Sequence, residues 1–179
     1  MRTLTRSALL PAAALALTAA CSSNPAPARS SAASPASVSA SPSPSPSTPA
    51  QQALSAYRAM WADVQALSET SDYTNPRLGD HLDGQAYMTI SENMSVNKAN
   101  GIVGVGAPVL HPRVLSVNAT TVTLADCMDD RNWLEAYAAT HKLVDTVSGG
   151  FRYTTATVTE DKGVWKVTAI DTRADGSCT

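Results

Sequence analysis

The residues of this chain that could do chemistry fall into a few short groups, and each matches a known arrangement only in part. Ser95-Val96-Asn97-Lys98 spells the Ser-x-x-Lys of serine β-lactamases and penicillin-binding proteins, where a nucleophile stands one helical turn from its activating amine. No Lys-Thr-Gly or Ser-Asp-Asn element follows it, and 179 residues are too few for that fold, so a solvated helix end is expected. Gly101-Ile102-Val103-Gly104-Val105-Gly106 has the wrong glycine spacing for a phosphate-cradling loop and reads as a glycine-relaxed strand entering a bend. Asp126, Asp129 and Asp130 could offer oxygens to Ca²⁺, but the Asx/Gly loop that organises such a site is missing, which leaves a solvated acidic turn. His81, His111 and His141 lie far apart, none with a helical i, i+4 ligand partner, so surface or structural roles are expected, with no metal and no cofactor.

The three cysteines divide differently. Cys21 follows the small residues Thr18-Ala19-Ala20, which follow an apolar run from Ala8 to Leu17 and a start carrying Arg2 and Arg6. Those are the three regions of an export signal, and the apolar run is too short to span a bilayer. Leu17-Thr18-Ala19-Ala20-Cys21 resembles the bacterial lipoprotein lipobox, which implies that residues 1–20 are removed and Cys21 is acylated. Two acyl chains would hold the chain on the extracytoplasmic face of a cell membrane. Cys127 and Cys178 then remain, in a compartment where disulfides persist, and are expected to be bonded to each other. A redox or metal-binding pair would need a Cys-x-x-Cys spacing or a neighbouring His.

Composition separates the anchor from the rest. Residues 21–50 are almost entirely Ser, Pro and Ala, ending in Ser41-Pro42-Ser43-Pro44-Ser45-Pro46-Ser47, and cannot bury enough apolar surface to offset the entropy of ordering. They are expected to form a disordered, polyproline-like linker of roughly 3 Å per residue, open to glycosylation or left bare. All fifteen acidic residues follow residue 50, against ten of the thirteen Lys and Arg, so residues 51–179 carry −5 of a whole-chain net charge of −2. An acidic domain is poorly suited to phosphate backbones, and nucleic acid is not an expected partner.

The elements that must position any site are two helices followed by strands. Leu54, Tyr57, Trp61, Val64 and Leu67 form one stripe at helical spacing with Arg58, Asp63, Gln65 and Glu69 off it, which predicts a helix of about twenty residues. Asn75-Pro76 starts a short turn or helix, and a second long helix begins at a cap on Asp83, turns Ala86, Tyr87, Ile90 and Met94 inward and closes at Gly101. Beyond Gly101 the period changes to two over 102–105, 109–117, 121–126, 133–139, 151–159 and 164–171. Turn residues at 118–120, 148–150 and 161–163 make sequential antiparallel pairing the economical topology, and the fold class is α+β.

Over roughly residues 51–178, this order of elements, the helix Ala56-Tyr57-Arg58-Ala59-Met60-Trp61 and the closing strand Gly163-Val164-Trp165-Lys166-Val167 resemble the cone-shaped fold of nuclear-transport-factor-like, ketosteroid-isomerase-like and polyketide-cyclase-like proteins. The whole layout is similar to lipoproteins of high-GC Gram-positive bacteria. The resemblance implies N-terminal helices packed in a curved, mostly antiparallel sheet, with a pocket at the open end.

Tyr57, Trp61, Trp165 and Asp171 are the residues expected around that pocket. Asp171 shares strand parity with Trp165, Val167 and Ala169, which would turn it toward the pocket mouth. Such folds host enzymes, binding modules and assembly domains alike. The preferred reading is a non-catalytic envelope lipoprotein that binds a small apolar ligand or an envelope protein. The alternative is an enzyme of ketosteroid-isomerase or polyketide-cyclase type, with Tyr57, Tyr137, Asp126 and Asp171 converging on a small apolar substrate.

Overall fold

The computed structural model describes residues 47–144 and 149–178. The signal region, Cys21 and nearly all of the linker lie outside the described residues. Helix α1, Pro49–Ser68, starts from a reciprocal cap: Thr48 Oγ1 accepts from the Gln51 amide while the Gln51 side chain reaches back to the Thr48 N–H, and Pro49 supplies a helical φ. A short α2, Leu78–His81, leads into α3, Gly84–Ala99, whose cap is Asp83 as the sequence predicts. Gly101, with φ of 66°, follows the last turn of α3.

Among the described residues six strands follow: β1 Ile102–Gly106, β2 Arg113–Val117, β3 Thr121–Asp129, β4 Trp133–Tyr137, β5 Phe151–Asp161 and β6 Val164–Asp175. The class is α+β and the strand pairing antiparallel throughout, but the order is not sequential. β1 pairs with β4 in a two-stranded ribbon, and the main sheet runs β2-β3-β5-β6. The chain leaves β3, crosses to β1 as β4, and returns to β3's other edge as β5. The hairpins at 118–120 and 161–163 form as expected, whereas β4 and β5 are not neighbours. The predicted strand over 109–117 shortens to β2 because Pro112 lacks the N–H a ladder needs; Val109 makes only an isolated bridge to Asp129.

The core lies where α1 and α3 meet the inner face of the main sheet. Tyr57, Met60, Trp61, Val64 and Leu67 of α1 and Ala86, Ile90 and Met94 of α3 pack on Val122, Leu124 and Met128 of β3, Val158 of β5 and Val167 of β6. Leu54, placed on the apolar stripe by its spacing, is only partly buried. Gly104 lets β1 pass close to the end of α1, since a Cβ there would collide with the Ser68 side chain.

Two expectations from spacing are corrected. Asp63, assigned to the polar side of α1, is buried because Arg77 Nε and His81 Nδ1 from the α2 region approach its two oxygens at 2.6 and 2.7 Å. Asp171 does not share a face with Trp165 and Val167. The register moves from Val158↔Val167 to Thr157↔Ala169, leaving Thr168 as an extra residue on β6. Beyond that bulge Ile170 and Thr172 take the inner face opposite Ala156 and Thr154, and Asp171 turns outward opposite Thr155.

Candidate functional site

Tyr57 Oη donates to Asp126 Oδ2 at 3.1 Å in the interior, and Asp126 Oδ1 accepts the His111 backbone N–H at 2.7 Å. Burial, then the charge of Asp126, push the Tyr57 phenol far above its ordinary value, with the Trp61 indole N–H acting in the other direction. Burial also raises the Asp126 carboxyl, against the His111 amide and the Tyr57 hydroxyl. Both side chains are essentially inaccessible, so this pair braces α1 and the loop before β2 against β3. The Trp61 Nε1 is itself buried; it faces the Tyr57 hydroxyl without reaching hydrogen-bond geometry.

A cleft of about 920 Å³ lies between α3, the β1–β4 ribbon and the ends of β5 and β6. Its apolar floor consists of Trp61 and Val64 from α1, Ile90 and Met94 from α3, Met128 from β3 and Trp133 from β4. Trp61 and Trp133 meet edge to face, 5.4 Å between ring centroids. The rim is polar: Gln85, Thr89, Asn93 and Asn97 from α3, Glu135 from β4, and the group Asp130, Arg152 and Asp175 at the far end. Arg152 Nε lies 2.5 Å from Asp130 Oδ2, and Asp130 Oδ1 accepts the Gly150 amide at 2.6 Å. On the side of α3, Gln85 closes the exposed edge of β6: its Oε1 accepts the Ile170 N–H at 2.8 Å and its Nε2 donates to the Ile170 carbonyl at 3.2 Å.

The four residues expected around a pocket are therefore distributed. Trp61 contributes to the cleft floor and Asp171 stands on its rim, whereas Tyr57 lies in the core and Trp165 packs against the core from β6 without lining the cleft. Tyr137, named for a catalytic set, is largely exposed on β4. Spacing alone missed Trp133, Glu135, Arg152 and Asp175; these depend on the β1–β4 pairing and on the β6 bulge, neither of which has a local signature.

The remaining candidates have separate partners. Lys98 Nζ donates to the Thr70 carbonyl at 3.0 Å, tying the end of α3 to the loop after α1. Asp129 takes Arg131 on both oxygens, which holds its carboxyl down at about 2. His111 Nδ1 lies 3.2 Å from the Cys127 carbonyl, and His141 occupies a turn at φ 56°. Cys127 and Cys178 are bonded, with Cα atoms 5.8 Å apart, beside a smaller hollow of about 540 Å³ that also includes Arg113, Tyr153 and Arg173.

No family model matches the chain, and no curated protein matches it. Among solved structures it is similar to the intermembrane space region of the chloroplast protein ARC6, at 19% identity and TM-score 0.44 over 73% of this chain and 100% of that one. It is also similar to an NTF2-like protein with a cystatin-like fold from Novosphingobium aromaticivorans, at 12% identity and TM-score 0.43 over 70% of this chain and 84% of that one. A third is the hexachlorocyclohexane dehydrochlorinase LinA-type3 from Novosphingobium barchaimii, at 14% identity and TM-score 0.41 over 68% and 85%.

Proposed function

We propose that this chain is a lipid-anchored lipoprotein of the cell envelope whose domain binds a small, largely apolar ligand without transforming it. The observation that carries the binding reading is the cleft. At about 920 Å³ it falls within the span of small-molecule sites, and it combines an apolar, aromatic floor with a few polar groups at its rim. The non-catalytic reading is supported by the placement of the acid–base pair: Tyr57 and Asp126 are spent on bracing the fold rather than facing the cleft. The anchored, extracytoplasmic location is supported by the lipobox-like Leu17–Cys21 and by the bonded Cys127–Cys178 pair.

Three measurements test this. Trp61 and Trp133 line the cleft while Trp165 does not, so an occupying ligand should change tryptophan emission, and Trp133→Phe should remove much of that change. Protein taken from native membranes and extracted with organic solvent should release a stoichiometric apolar compound; an empty extract together with unresponsive tryptophans would end the ligand reading. For the anchor, intact mass should show a diacylglyceryl increment that Cys21→Ala abolishes. A freely secreted chain without the increment would refute it.

A further inference from the structure

We infer that the cleft selects ligands that carry a positive charge on their apolar body. This rests on the binding reading above and adds the charge of the ligand to it. Among the described residues lining the cleft, the carboxylates are Asp130, Glu135, Asp171 and Asp175, and the single cation is Arg152. Asp130 and Arg152 neutralise each other at 2.5 Å. Setting aside Asp171, whose register turns it outward, Glu135 and Asp175 remain as uncompensated charge. Glu135 is oriented by a neutral donor, Asn97 Nδ2 at 2.8 Å, and among the described residues Asp175 Oδ1 accepts the Gly176 amide at 2.9 Å. Neither is in an ion pair among the described residues.

The backbone at the far end accommodates this charge. A Cβ on Gly149 would collide with the Asp130 carboxylate, and one on Gly150 with that of Asp175, so the two glycines allow both acids to sit close against the chain. Negative charge over an apolar floor focuses its field into the cleft. A cation entering there meets two carboxylates and the faces or edges of Trp61 and Trp133, which favour positive charge at the ring face. An anionic headgroup would be set beside like charges, which discriminates against it without any steric block.

The test uses the full-length mature chain and three probes with the same eight-carbon tail, octyltrimethylammonium, octanol and octanoate, titrated calorimetrically at low ionic strength. The expected order is octyltrimethylammonium tightest and octanoate weakest, with about a tenfold gap between them, equivalent to about 1.4 kcal/mol. Glu135→Gln combined with Asp175→Asn should bring the gap close to parity, and 1 M salt should compress it in the unaltered protein. Asp161→Asn, in the distant β5–β6 turn, should leave the gap intact. Octanoate binding as well as or better than octyltrimethylammonium, or a gap that survives both the double substitution and high salt, overturns the charge selectivity while leaving the cleft a ligand site. Failure of all three probes to bind overturns the ligand reading and this inference with it.

Discussion

The Tyr57 hydroxyl and the Asp126 carboxylate meet at 3.1 Å in the interior, joining the middle of α1 to the centre of β3. The contact unites the two elements that carry most of the core, and its effect on stability depends on pH in a defined direction.

The unfolded state ionises its tyrosine near the ordinary value of 10, whereas folded Tyr57 keeps its proton well beyond it. A group whose pKa is raised by folding contributes stability that is complete below the unfolded pKa and is lost as pH climbs above it. Urea unfolding should therefore show stability falling from pH 10 upward, with a shallower fall in Tyr57→Phe. The same substitution should cost about 1–3 kcal/mol at pH 7, because Asp126 stays buried with one donor fewer. Parallel alkaline slopes in the two proteins would refute the assignment.

At the acid end two neighbouring aspartates act in opposite senses. Asp129, held at about 2 by Arg131, contributes stability above the unfolded carboxyl value of 3.8 that is lost as pH falls toward 2. Asp126, raised by burial, contributes in the other direction: its share is complete below 3.8 and is lost as pH rises through its folded value. Asp129→Asn should flatten the loss of stability between pH 4 and 2, whereas Asp126→Asn should act above pH 3.8, abolishing a gain of stability on acidification toward that value, as read by thermal unfolding across both windows.

Asp63 is a buried carboxylate with two partners, Arg77 and His81. Removing either partner leaves the other in place, so Arg77→Ala and His81→Ala should each cost about 1 kcal/mol or less. Removing both leaves a charge buried and unpaired, and the double variant should cost about 3 kcal/mol, well beyond the sum. A double-mutant cycle in urea measures the coupling; additivity would mean that Asp63 is solvated after all.

The Cys127–Cys178 bond closes 51 residues of chain and fixes the end of β6 beside Tyr153, whose amide also bonds Ser177 Oγ at 2.8 Å. On the chain-entropy account its reduction should cost about 4 kcal/mol. The urea midpoint with and without reductant gives that number, and Cys127→Ser with Cys178→Ser should reproduce it without reductant. Hydrogen exchange should rise first at the β6 end, near Asp175.

What could be read in advance was what sequence encodes locally. The Asp83 cap, the Gly101 stop, the apolar stripe of α1 and the two tight hairpins all depend on residues within a turn or two of each other. The pairing of β1 with β4 was not legible, since nothing in either strand distinguishes that partner from a sequential one. The burial of Asp63 was hidden for a related reason: its partners Arg77 and His81 come from fourteen and eighteen residues away. The cleft suffered most, because its rim combines β4, the start of β5 and the end of β6, and so depends on every long-range choice at once.

The extra residue at Thr168 gives β6 a different kind of constraint from its neighbours. Its side chain makes ordinary hydroxyl contacts, to Thr159 at 3.0 Å and to the Thr157 carbonyl, that other small residues could forgo. Its presence in the count cannot be forgone, because it is what hands the inner face from Val167 to Ile170. Deleting it would rotate all of the strand beyond it, turn Ile170 to water and point Asp171 at Met94 and Ile90. In the descent of this domain, position 168 is free to change its letter but not to disappear, and gaps in β6 should fall on either side of it and never at it.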